Sequence, residues 1–81
     1  MRKSIHSDAQ LYFAELLVKA RKRAGLTQVQ LAERIGRPQS FVSKYEAGER
    51  RLDVVEFIGL ARALDADPVA FVRRLIRTMA L

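Results

Sequence analysis

The chain has 81 residues, no cysteine, 49% hydrophobic and 30% charged residues, and a formal net charge of +6. That length holds one hydrophobic core and no second one, and the composition is that of a folded domain rather than a disordered chain. Without cysteine there is no disulfide framework or thiolate metal site, and no apolar run approaches the roughly 18 residues that cross a bilayer. A reducing cytoplasm is the expected location, and the positive charge suits a polyanionic partner. The charge is also localised. Between Lys19 and Arg51 nine Lys or Arg face three Glu, which accounts for the entire excess.

The opening MRKSIHSDAQ is basic and then turns polar, unlike a signal peptide. Residues 1–7 are expected to form a flexible arm ahead of a single domain spanning 8–81, and His6 reads as an exposed polar residue near a terminus. Ser7 with Gln10 resembles a capping box. It predicts a first helix from about Asp8 to Ala24, with Phe13, Leu16, Leu17, Ala20 and Ala24 on its core face. Gly25 ends that helix, Leu26 packs inward, and Thr27 caps the next. From Gln28 to Ile35, Val29, Leu31, Ala32 and Ile35 share one helical face. Gly36 stops this helix because glycine accepts the left-handed conformation of a helix end, and Pro38 suits the first turn of a new one. A third helix runs from Gln39 to Tyr45 or Glu46 and closes at Gly48. Val42 and Tyr45 face its core side, Phe41 flanks them, and Gln39, Ser40, Ser43 and Lys44 share the other side. Asp53 with Glu56 forms a second capping box, predicting a fourth helix from Val54 to about Leu64 with Val54, Phe57, Ile58, Ala61 and Leu64 inward. Asp67-Pro68 starts a fifth helix, Val69 to about Met79, that buries Phe71, Val72, Leu75 and Ile76. The predicted fold class is all-α, a compact five-helix domain with no strand and no internal repeat.

The stretch 27–48 reads as two short helices joined by a tight turn, the second free to touch a partner. That is a helix-turn-helix, and it points toward DNA. The pattern GLTQxxLAxxIG, then QSxVSxYExG and later ARAL, resembles the lambda-repressor-like (XRE-type) helix-turn-helix family of phage repressors and Cro proteins. The resemblance covers roughly Leu17 to Leu64, with a fitting fifth helix beyond. Ala32 matches the small residue at the close approach of the two helices, Gly36 the turn, and Val42 and Tyr45 the core positions. Arg37 departs from the pattern, where the residue after the turn glycine is often apolar, and suits an extra phosphate contact.

The resemblance implies that the residues opening the second motif helix reach base edges in the major groove. Gln39 offers a donor and an acceptor that match the edge of adenine, Ser40 is less discriminating, and Lys44, a turn later, suits a guanine edge or a phosphate. Phe41 either touches a thymine methyl or completes the core. Gln28 is implied to bind a phosphate and brace Gln39, since an amide both donates and accepts. Arg50 and Arg51 resemble the family's phosphate-gripping loop, with Ser43, Arg23 and Arg37 as further phosphate candidates. Exposed arginines are also common as mere solubility groups. Arg21 and Glu46 are implied to form a partly buried ion pair that orients the recognition helix.

One such domain reads only a few base pairs, so a homodimer with recognition helices about 34 Å apart is expected. The helix over 68–79 is the expected dimer surface, through Phe71, Val72, Leu75, Ile76 and Met79, unless it only caps its own domain. Arg73, Arg74 and Arg77 rim that interface or approach DNA or an acidic partner. The leading reading is a sequence-specific regulator of transcription, a repressor dimeric on a palindromic double-stranded operator. The alternative is an antitoxin or restriction-modification controller that also binds a protein, such as a toxin or RNA polymerase. An enzyme is disfavoured, because there is no cysteine, no histidine cluster and no glycine-rich phosphate loop. No cofactor, metal or membrane association is expected, and RNA binding lacks the exposed aromatic platforms it uses.

Overall fold

The computed structural model describes residues 5–79, which form five helices: α1 (Ile5–Arg23), α2 (Gln28–Ile35), α3 (Gln39–Glu46), α4 (Val54–Ala63) and α5 (Pro68–Met79). Among the described residues there is no strand. Met1 to Ser4 of the expected arm lie outside them. Ile5 to Ser7 instead extend α1, so Ser7 sits within the helix and not at its N-cap. Serine followed three residues later by glutamine fits a helix interior as well as a box, because glutamine is a good helix former.

Local chemistry sets the other helix boundaries. Thr27 Oγ1 accepts from the Gln30 amide at 3.1 Å while Gln30 Oε1 accepts from the Thr27 amide at 2.9 Å. Asp53 Oδ1 accepts from the Glu56 amide at 2.7 Å, and Glu56 Oε1 accepts from the Asp53 amide at 3.0 Å. Each box closes helix amides that would otherwise lack partners, a contribution of about 1 kcal/mol. Gly36 ends α2 at φ 67°, a left-handed conformation that lets the Arg37 amide donate back to the Ala32 carbonyl at 3.0 Å. Pro38 is the N-cap of α3 in extended backbone and not its first helical residue. Having no side-chain oxygen, it leaves the start of α3 without a side-chain cap. Gly48 follows α3 at φ 78°, where a Cβ would lie 3.1 Å from Leu11 Cδ2.

The core lies where α3 packs on α1 and α2, with α4 and α5 closing it from below. Leu17, Leu31, Val42, Tyr45 and Leu60 are its largest fully enclosed members. Phe13, Phe57 and Phe71 meet edge-on, with centroids 5.0 to 6.5 Å apart, and tie α1, α4 and α5 together. Burial pushes the Tyr45 phenol up, far from its ordinary 10.0.

Two expected helix faces are rotated. Val54 and Ile58 are 71% and 41% exposed, whereas Leu60 is 1% exposed. The buried stripe of α4 is Phe57, Leu60, Ala61 and Leu64, a spacing that turns Val54 and Ile58 out to the flank. In α5 only Phe71 is buried, while Val72 and Ile76 are exposed. Val29 and Ala24 are exposed too. No helix among the described residues is long and apolar enough to cross a membrane.

Candidate nucleic-acid interface

The last turn of α3 places Glu46 against α1. Its Oε2 accepts from Arg21 Nε at 2.7 Å, and its Oε1 accepts from Arg21 Nη2 at 3.1 Å and from Gln28 Nε2 at 2.9 Å. Arg21 Nη1 donates to the Leu26 carbonyl at 2.8 Å, so the guanidinium also pins the α1–α2 turn. The two charged side chains are only 12% and 6% exposed. The hydrogen bond to Glu46 raises the Arg21 pKa, against a smaller opposing effect of burial. The pairing is bidentate, the strong form of an arginine–carboxylate contact.

An ionised carboxylate only accepts, so Gln28 must turn its amide nitrogen toward Glu46 and its oxygen away. Gln39 Nε2 donates to that oxygen at 3.0 Å. A directional relay thus runs from Arg21 through Glu46 and Gln28 to Gln39, on the exposed first turn of α3. Gln39 keeps its own Oε1 and one N–H for an outside partner. One acceptor beside one donor is the pattern that complements N6–H and N7 of adenine.

A second cluster builds around Glu56. Arg50 Nη1 and Nη2 donate to its two oxygens at 3.0 and 2.9 Å, and Arg37 Nη2 donates to Oε2 at 3.0 Å. Both guanidiniums lie over the Phe41 ring, at 4.3 and 4.7 Å from its centroid, a cation–π arrangement. Phe41 itself is buried and packs edge-on to Tyr45, which makes it part of the core. The Arg50 hydrogen bonds, then the Asp53 amide, hold the Glu56 carboxyl down from its ordinary 4.5 to about 2. A carboxyl depressed on folding stabilises the fold above its unfolded pKa, and this is lost as pH falls through the folded one. Stability is therefore expected to drop between pH 4.5 and about 2. Thermal melting of Glu56→Gln across that window should show a shallower drop than the wild type; superimposable slopes would contradict the assignment.

Ser40 and Lys44 are exposed on α3 beside Gln39. Ser43 is half-buried, and its hydroxyl donates to the Ser40 carbonyl at 3.3 Å. Two arginines on one carboxylate leave the Arg37–Arg50–Glu56 cluster a single net positive charge. Arg51 is exposed, with no carboxylate in ion-pair range among the described residues. Arg23 does not join these residues. It lines a separate groove between α1 and α5. Phe71, expected at a dimer surface, is in the domain's own core, and Leu75 and Met79 are half-buried, which leaves Val72 and Ile76 outside.

The helix-turn-helix domain family matches residues 13–78. The chain belongs to that family. Among solved structures it is similar to an XRE-family like protein from Pseudomonas syringae pv. tomato str. DC3000, at 49% identity over 90% of this chain and 89% of that one, with TM-score 0.85. It is also similar to the restriction-modification controller protein C.AhdI from Aeromonas hydrophila, at 33% identity over 82% of this chain and 96% of that one, with TM-score 0.75. The controller protein C.Esp1396I, solved as a tetramer with its natural 35 base-pair operator, shares the fold at 20% identity and TM-score 0.74 over 99% of this chain and 100% of that one. No curated protein matches the chain. These relatives agree with the five-helix architecture of a lambda-repressor-like, XRE-type DNA-binding regulator.

Within this helix-turn-helix domain, two contacts escape sequence reading. Glu56 reads only as a capping residue, because Arg37 and Arg50 lie 19 and 6 residues away, spacings with no local periodicity. Gln28 reads as a brace for Gln39, but its second bond to Glu46 depends on how α3 docks against α1.

Proposed function

We propose that the chain is a sequence-specific regulator that binds double-stranded DNA as a homodimer and represses a promoter by occupying a palindromic operator. The observation that carries this reading is the relay ending at Gln39, which holds an exposed amide in one polarity at the start of α3. Gln39, Ser40 and Lys44 are the base-reading residues, and Gln28, Ser43, Arg37, Arg50 and Arg51 are the phosphate contacts. Arg51 is the least encumbered of these cations. Binding titrations of Arg51→Ala across a salt series test the assignment. Affinity should fall alike for all duplexes, and the slope against log salt should flatten by about one unit. A loss confined to one sequence contradicts it.

A dimer is supported by the placement of apolar surface. Of the eight exposed large hydrophobics among the described residues, Val54, Val55 and Ile58 lie on α4 and Val69, Val72 and Ile76 on α5. The proposed surface is thus the α5 flank of Val72 and Ile76 with α4 beside it, without Phe71. Ile76→Asp should leave helix content unchanged, since Ile76 is 57% exposed, while sedimentation shifts to monomer. A dimer that persists at micromolar concentration would place the interface elsewhere. Similarity to C.AhdI over most of both chains favours, as a second reading, a controller protein of a restriction-modification operon.

A further inference from the structure

We infer that the groove between α1, the α4–α5 turn and α5 binds a small organic anion of the nucleotide class, a flat ring bearing phosphate, at a site separate from the recognition helix. The groove has a volume of about 730 Å³, within the range of roughly 300–1,000 Å³ typical of small-molecule sites. It is open because alanines, Ala20 of α1 and Ala24 just after it, with Ala66 and Ala70 across from them, line it where larger side chains would fill it.

Its charge is one-sided. Lys19 and Arg23 approach from α1, Arg34 from the last turn of α2 and Arg74 from α5. Among the described residues none of the four has a carboxylate within ion-pair range. Arg34 Nη1 donates to the Ala63 carbonyl at 3.2 Å, which holds that guanidinium at the end of α4. Two carboxylates share the lining, Asp65 and Asp67, and Asp67 Oδ1 is engaged in accepting the Val69 amide at 2.9 Å. Four cations against two carboxylates leave an excess of two positive charges. Guanidiniums present planar forks suited to phosphate oxygens. Tyr12 and Phe71 supply an aromatic wall for a ring.

The groove is distinct from both surfaces proposed above. None of Gln28, Gln39, Ser40, Lys44 or Arg51 lines it. On a 3.6-residue helix Arg74 projects from the flank of α5 opposite Val72 and Ile76. Three of its four cations come from α1 and α5, outside the helix-turn-helix.

The test is an NMR titration of the whole chain with ADP, and separately with adenosine as the uncharged probe. ADP should move the amides of Ala24, Asp65, Ala66 and Ala70 saturably, and adenosine far less. Arg74→Gln and Arg23→Gln, both at exposed positions, should each weaken ADP about tenfold, the loss of one charge-assisted hydrogen bond. Arg62→Gln, outside the groove, should leave ADP affinity unchanged. Shifts confined to Gln39–Arg51 would overturn the proposal. So would equal shifts with adenosine, or unchanged ADP affinity in both groove variants.

Discussion

Glu46→Ala is expected to cost about 3 kcal/mol of stability, because it strands Arg21 in a largely enclosed place with no counter-charge. For a domain of this size the melting midpoint should fall by more than about 10 °C. The origin of the loss is checkable. If stranding is the cause, Arg21→Ala combined with Glu46→Ala should be less damaging than Glu46→Ala alone, the non-additivity expected of contacting residues. Additive losses would mean that the two side chains act separately, despite their bidentate contact. The same variant should also blur base preference. Without the carboxylate, nothing dictates which end of the Gln28 amide faces Gln39.

Gln39→Ala has the second large effect, on specificity. The side chain is exposed and, among the described residues, bonded only to Gln28, so stability should change by less than about 0.5 kcal/mol. Binding to the preferred duplex should weaken by about 1–3 kcal/mol, with discrimination lost at a single adenine-bearing position. Competition among duplexes varied one base pair at a time reads this directly. Discrimination retained at every position would remove Gln39 from base reading and reduce the relay to scaffolding.

Much of this was legible where the determinants are local. Thr27, Gly36, Asp53 with Glu56, and Asp67-Pro68 each fix a helix end through atoms within a few residues, and α2 to α5 start or stop within a residue of expectation. Ser7 misled because its pattern carries the same residues in a cap or a helix interior, and only the chain before it distinguishes them. The face of α4 misled for a related reason. Val54, Val55, Phe57, Ile58, Leu60 and Ala61 form overlapping apolar stripes, and docking against α2 and α5 selects one. At the interface, the Arg21–Glu46 pair and the Gln28–Gln39 bond followed from resemblance. The polarity of the relay did not, since it needs Gln28 placed against both α1's partner and α3's first turn. The clamp of Arg37 and Arg50 on Glu56 needs three segments brought to one point. Neither has a one-dimensional signature.

The most direct test of the central claim is selection of bound duplexes from a random DNA pool near physiological salt, followed by affinity measurements on the enriched sites over a salt series. Two inverted half-sites centred about 10 base pairs apart, each with a constant adenine lost in Gln39→Ala, are the predicted result. No enrichment, with affinity that collapses uniformly as salt rises, would leave only the electrostatic attraction of a basic surface and contradict sequence reading by α3.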